Sequence, residues 1–258
     1  MIMNKALLFN EDELNYDKYR PAYPKEVYDE IFSYALLHEN SQLLEIGIGT
    51  GQATEPFLKA GCKVTAAEIG DKLSAFVGRK YRDYGNFQVI NSDFMTGSFK
   101  PSEYDLIYSA TAFHWLPMPE KYEKAQDLLK PGGTLALFWN RPFVNRANDE
   151  TNTASKSVYD KYRPSDKKQA EFNEKDCHKI ANELKESGFV NVKSKLFHRI
   201  RVLSADEYIC LINTYSDHRM LSADIRKHFE TDMRNAINSV GGKINIYDTV
   251  DLYLAQKA

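Results

Sequence analysis

Between Gln42 and Asn140 short apolar runs alternate with segments of helical periodicity. Leu43, Leu44 and Ile46 form the first run, which ends in glycines. Lys63 to Ala67 is a second, and Phe87, Val89 and Ile90 make a third. Tyr104 to Ala110 and Thr134 to Trp139 complete the series. One of the helical segments, Asp71 to Tyr84, opens on an aspartate suited to capping its N-terminus. Short buried strands alternating with helices predict a parallel sheet with helices on both faces.

The C-terminal part has a different period. From Val190 to Val202 the even positions are largely apolar (Val190, Val192, Leu196, Ile200, Val202), and the odd ones include Lys193, Lys195, Arg199 and Arg201. Alternation returns from Ile244 to Leu254. Period-two patterns with one polar face predict antiparallel strands at a sheet edge, where basic side chains discourage edge-to-edge pairing. A helical insertion separates these strands. Ser204 and Glu207 have capping-box spacing, and Ile225, Phe229, Met233 and Ile237 form an amphipathic stripe. Another helix is expected from near Asn173 to Gly188, burying Ile180 and Leu184. Asn145 to Lys168 is polar with weak periodicity, and reads as a mobile helix or loop.

Composition narrows the function classes. The chain has 258 residues, 43% hydrophobic and 27% charged, as a globular domain of this size does. Its formal net charge of -2 argues against a protein that grips nucleic-acid phosphates. The apolar run Ala6 to Phe9 is too short for a signal-peptide core, and no stretch is long enough to span a bilayer. Cys62, Cys177 and Cys210 are far apart and form no C-x-x-C pair, which fits a reducing cytoplasm without a zinc site.

The candidate chemistry gathers around Leu43-Leu44-Glu45-Ile46-Gly47-Ile48-Gly49-Thr50-Gly51, a predicted strand entering a glycine loop and then a helix near Gln52. Glycines there permit a tight turn and close approach of a ligand. Glu68 closes the second strand about twenty residues on, where an acid can accept the hydroxyls of an adenosine ribose. Asp93 follows the third strand and can accept from an adenine amino group, with Ile69 and Phe94 as apolar ring contacts. No lysine or arginine occurs from Leu43 to Leu58, which disfavours a pyrophosphate and a dinucleotide. A ligand with a sulfonium and an ammonium, and no phosphate, suits Glu45, Glu68 and Asp93 instead.

These residues resemble the class I S-adenosylmethionine-dependent methyltransferases, in their small-molecule, type 11-like branch. LLEIGIGTG looks like the family's glycine signature, AAEIG supplies the ribose acid and NSDF the adenine acid. YDLIYSATAFHWL resembles the fourth strand with its loop, and LLKPGGTLALFWN the fifth. The resemblance implies a Rossmann-like, mostly parallel seven-stranded sheet with helices on both faces, an antiparallel C-terminal strand and a helical lid. Residues 1–258 would be one methyltransferase domain. Residues 1–38 would cover the cofactor and 39–141 would bind it. Residues 142–188 and 204–240 would be lid insertions, with 189–203 and 243–258 the last strands.

S-Adenosylmethionine would be the cofactor and a small molecule the acceptor, with no nucleic acid or membrane partner, no metal, and a monomeric or homodimeric protein. Gly47 and Gly49 would meet the methionine portion, Glu45 its ammonium and Arg20 its carboxylate, with Gly51 also in the cofactor-binding loop. Glu68 would bind the ribose, and Ser92 and Asp93, with Ile69 and Phe94 as apolar ring contacts, the adenine. Ser109 and Ala110 would line the sulfonium side, and Tyr16 belongs to the covering segment. His114 is the candidate general base, or else it caps a helix near Leu116 or packs under Trp115. Tyr16, Tyr19, Tyr23, Tyr159, Tyr208 and Tyr215 would give aromatic walls or lid core, and His218 and Arg219 could meet an anionic substrate. Competing readings are an RNA or protein methyltransferase, a dehydrogenase, and a non-catalytic S-adenosylmethionine-binding protein. Against the amino-group DNA enzymes, Ser109-Ala110-Thr111-Ala112 stands where they carry a proline-rich run.

Overall fold

The structure is a computed structural model describing residues 13–164 and 170–258. The run Ala6 to Phe9 and the far end of the Asn145 to Lys168 segment lie outside the described residues. One sheet is built from β1 (Gln42–Ile46), β2 (Lys63–Glu68), β3 (Phe87–Asn91), β4 (Tyr104–Ala110), β5 (Leu129–Phe143), β6 (Phe189–Ser204) and β7 (Lys243–Lys257). Their spatial order is β3-β2-β1-β4-β5-β7-β6. Pairing is parallel from β3 through β5, and β7 runs antiparallel to both β5 and β6. The chain winds outward from β1 to β3, then returns to place β4 on β1's other side. That reversal opens a crevice at the carboxyl ends of β1 and β4.

Helices cover both faces because each sheet face is apolar. On one, α2 (Lys25–Ala35), α3 (Glu55–Lys59) and α4 (Asp71–Lys80) bring Ile31, Phe57 and Val77 against Leu43, Val64, Leu106 and Phe138. On the other, α5 (Glu120–Leu128) and α7 (His178–Glu186) bring Tyr122 and Leu184 against Leu44, Ile107, Leu135 and Tyr253. A third cluster joins α6 (Glu150–Tyr162), α8 (Ala205–Ile212) and α10 (Ala223–Ser239) through Val158, Tyr208, Phe229, Met233 and Ile237, over Ile244 and Ile246. This cluster corresponds to the lid expected from the sequence, and is called the lid below. The one-turn α9 (Ser216–Arg219) lies between α8 and α10, and α1 (Glu13–Tyr19) belongs to the covering segment.

Several sequence expectations are corrected. Asp71 is the first residue of α4, not its cap; Gly70 is the cap, and the helix stops at Lys80. Residues 49–54 are turn, so α3 starts at Glu55 rather than near Gln52. Of the expected lid insertion 142–188 only α6 joins the lid, since Leu184 of α7 packs on the sheet. The weakly periodic Asn145 to Lys168 segment holds α6 because its cap is strong. Asp149 accepts from the backbone of Thr151 and Asn152, and from Tyr247 and Asn245 of β7. The capping boxes at Asn173 and Ser204 are both formed.

The edge is where the pattern misleads most. β6 is the edge strand, but β7 lies one strand inside it and is buried continuously from Asp248 to Ala255. On β6 the faces are inverted near its end. Ile200 and Val202 are 59% and 53% exposed, while Arg199 and Arg201 turn to Asp248, whose side chain is wholly buried. The register sets Arg199 directly opposite Asp248. A buried carboxylate demands paired cations more strongly than two edge side chains demand burial.

Candidate functional site

β1 and β4 end side by side, and the chain leaves β1 through a left-handed turn. Gly47 has φ 69°, and a Cβ there would stand 2.6 Å from the Cβ of Ala112. The two loops are therefore pinched together, and only glycine fits. Gly49 has φ 60°, and a Cβ there would point toward the Tyr16 ring at 3.9 Å. Thr111, just past β4, has φ 61°, a strained conformation for a β-branched residue. Its hydroxyl lies 2.7 Å from that of Tyr23, and its N–H donates to Phe138.

These loops enclose a cavity of about 290 Å³. Glu45, Glu68 and Asp93 line it, and among its lining residues Arg20 is the one lysine or arginine. Glu68 sits at the end of β2, and its two oxygens accept from the N–H groups of Gly49 (2.9 Å) and Gly70 (2.8 Å). Each oxygen keeps a further lone pair for a ligand hydroxyl. Burial raises the Glu68 pKa, and those backbone donors oppose the rise. Glu45 is deeper. Its Oε2 accepts from Thr54 and Tyr108, both at 2.7 Å, and burial pushes its pKa up to about 7. Asp93 accepts from the N–H of Met95 at 2.7 Å, which fixes the carboxylate beside Phe94.

Arg20 is held flat between the rings of Tyr16 and Tyr215, 4.8 and 4.4 Å from their centroids. One Nη donates to the Thr214 carbonyl at 3.0 Å. Its Nε is buried without a hydrogen-bond partner among the described residues. A buried, unpaired guanidinium donor is costly and calls for an acceptor. The covering segment is thus tied to the lid, and Lys80 of α4 also pairs with Asp17 of α1 at 2.6 Å.

His114 lies on the single 3-10 turn Phe113–Trp115, and α5 begins only at Glu120. It therefore caps no helix near Leu116. The Trp139 indole N–H donates to His114 Nδ1 at 3.0 Å, and the Trp115 ring lies 4.7 Å away. Indole nitrogen can only donate, so the proton of the neutral imidazole sits on Nε2. Desolvation, then Arg141 and Lys121, lower the His114 pKa to about 4. Neutral, with its one lone pair engaged, His114 presents an N–H donor. A general-base role for His114 would therefore need the Trp139 bond to break first.

The other predicted residues divide cleanly. Tyr16, Arg20, Glu45, Gly47, Gly49, Glu68, Ile69, Ser92, Asp93, Phe94, Ala110 and His114 all line the cavity. Gly51 and Ser109 stand outside its wall. Gly51 packs on Tyr81, which a Cβ there would approach to 2.6 Å, and Ser109 is fully buried, donating to the Ile46 carbonyl. Of the tyrosines, Tyr16, Tyr23 and Tyr215 line the cavity, whereas Tyr19, Tyr159 and Tyr208 belong to the lid core. His218 is buried among Tyr159, Tyr215 and Phe229, so neither it nor Arg219 belongs to the wall. Sequence reasoning missed Thr111, Asn140 and Pro142 in the wall. Position at a strand's carboxyl end was the signal available for all three.

Residues 44–137 match the family described as "Methyltransferase domain". An uncharacterized methyltransferase of Geobacillus is 30% identical over 156 residues, covering 55% of this chain and 72% of that protein. This chain belongs to the class I S-adenosylmethionine-dependent methyltransferases. An uncharacterized methyltransferase of Schizosaccharomyces pombe is 23% identical over 243 residues, 90% of this chain and 88% of its own length. A second methyltransferase-like protein of that yeast aligns over 51% of its length, so the chain spans about half of some relatives.

Phosphoethanolamine N-methyltransferase 2 of Haemonchus contortus, solved with S-adenosyl-L-methionine, shares the fold. The TM-score is 0.58 at 13% identity, covering 100% of this chain and 60% of that one. The methyltransferase's own residues fit the cofactor. Three acids oppose one guanidinium, which suits a molecule with two positive centres and one carboxylate, and the unpaired Arg20 Nε supplies a donor for that carboxylate. Among the described residues no group of three or more His, Cys, Asp or Glu is placed to hold a metal ion, and no helix is long and apolar enough to cross a membrane.

Proposed function

We propose that this methyltransferase transfers the methyl group of S-adenosylmethionine to a small molecule by in-line displacement. The observation that carries the reading is the cavity wall of Glu45, Glu68 and Asp93, in which Arg20 is the one lysine or arginine among the described residues, around a space of about 290 Å³. Such a wall repels a phosphate backbone and suits a compact acceptor. When bound, S-adenosylmethionine supplies a methyl group on a sulfonium, already a strong leaving group.

Glu68 would orient the ribose hydroxyls, since its backbone donors fix both oxygens. Asp93 would accept from the adenine amino group, with Ile69 and Phe94 on either side of the ring. Arg20 would hold the methionine carboxylate, and Glu45 the ammonium, directly or through water. On the acceptor side, His114 would donate through Nε2 to an oxygen or nitrogen of the incoming molecule. Among the described residues, no lysine, aspartate or glutamate stands there as a proton acceptor within the wall beyond β4 and β5. Rate would come mainly from holding acceptor and sulfonium in line.

The test uses the full chain with methyl-labelled S-adenosylmethionine and three separate acceptor fractions from cells: low-molecular-mass solutes, RNA and protein. Label should appear in the solutes. Label confined to RNA or protein would overturn the small-molecule reading. Absence of heat with S-adenosylhomocysteine in calorimetry would overturn the cofactor site itself.

A further inference from the structure

The acceptor side of the cavity contains a second buried orphan. Asn140, near the end of β5, lines the cavity, and its Oδ1 is buried without a hydrogen-bond partner among the described residues. Its Nδ2 donates to Asp248 Oδ1 at 3.1 Å. Asp248 lies on β7 and is wholly buried. It is itself fixed by Arg199 Nε at 3.1 Å, by Arg201 Nη2 at 3.0 Å and by Arg201 Nε.

This arrangement leaves the Asn140 amide no choice of orientation. Turning it over would set its carbonyl oxygen against a carboxylate oxygen. The NH₂ therefore faces Asp248, and the carbonyl oxygen faces away from it as a pure acceptor. Burying such an oxygen without a partner is unfavourable, and folding gains nothing from it. Tyr23, Trp115, Pro142 and Tyr215 share the lining of this cavity with Asn140, beside the polar Arg20, Thr111 and His114. A flat ring fits such walls, and one polar hydrogen on the ring would satisfy the orphan.

Resting on the small-molecule reading above, we infer that Asn140 is a specificity-determining residue that selects planar ring acceptors carrying an O–H or N–H. Asp248, Arg199 and Arg201 are positioning residues that hold it in register from the antiparallel edge. The ring's donor meets Asn140 Oδ1, and the same ring without that hydrogen leaves the oxygen unpaired.

Binding is read by calorimetry on the full chain saturated with S-adenosylhomocysteine. The probes are naphthol with its methyl ether, and indole with N-methylindole. The ring bearing the donor should bind roughly three- to tenfold tighter than its capped partner, the worth of one hydrogen bond. Asn140→Leu should erase that ratio and leave the affinity for S-adenosylhomocysteine unchanged. Asn140→Ala serves the same purpose if the leucine variant does not fold. An unchanged ratio in either folded variant overturns the inference, as does equal binding, or no binding, of both members of each pair to the wild type. Failure of S-adenosylhomocysteine to bind would strike the cofactor reading instead, so the two failures are separable.

Discussion

At the residue scale, the site is governed by what burial does to single groups. Glu45 has its pKa raised from 4.5 to about 7 by desolvation, so the ligand-free fold favours its neutral form near neutrality. The stability this group contributes is complete below its ordinary value and is lost as pH rises through about 7. A ligand ammonium beside Glu45 prefers the ionised form, so the sign for binding is opposite. Affinity for S-adenosylhomocysteine should rise by up to about tenfold between pH 6 and 8, with proton release on the acid side. Calorimetry in buffers of different ionisation heat measures both, and Glu45→Gln should flatten the profile. His114 gives a second test. Nitrogen NMR of its ring should report a neutral imidazole protonated at Nε2 throughout the physiological range, and His114→Ala should lower turnover without weakening S-adenosylhomocysteine. A protonated Nδ1 would contradict the hydrogen bond from Trp139. The acids were legible in the sequence because each ends a predicted strand. The role of His114 was not, since it depends on Trp139, 25 residues away.

At the element scale, strands and caps followed local rules, and the edge did not. The five runs of the first half and the box at Ser204 are where short-range chemistry put them. Ser204→Ala should cost about 1 kcal/mol of stability in denaturant unfolding, the ordinary worth of a cap. Strand β6 obeyed a longer-range demand. Asp248 is buried one strand inside, and the arginines of β6 turn inward to meet it, leaving Ile200 and Val202 in solvent. Asp248→Ala should therefore destabilise by about 3–5 kcal/mol, because two part-buried guanidinium groups lose their carboxylate. A loss below 1 kcal/mol would show that apolar packing sets the strand's facing instead. Alternation alone could not reveal this, because it is blind to which partner lies opposite.

At the scale of the whole molecule, the cavity is closed by parts remote in sequence. Helix α1 buries none of its own residues and is held by Asn15 on the Cys210 carbonyl, Asp17 on Lys80 and Arg20 on the Thr214 carbonyl. Such a segment opens locally at low cost. Hydrogen exchange across residues 13–20 should slow markedly when S-adenosylhomocysteine fills the cavity and pairs Arg20, while α4 and α5 change little. Equal exchange with and without the ligand would remove Arg20 from the site. The sequence by itself determined the alternating core, the glycine turn and the three acids, since strand ends, turns and caps are decided by residues a few positions apart. Only the tertiary structure decided that Trp139 engages His114, that Asp248 fixes the amide of Asn140, and that β6 turns its cations inward. Each of those follows from a partner brought near by the sheet, and chain neighbours carry no record of it.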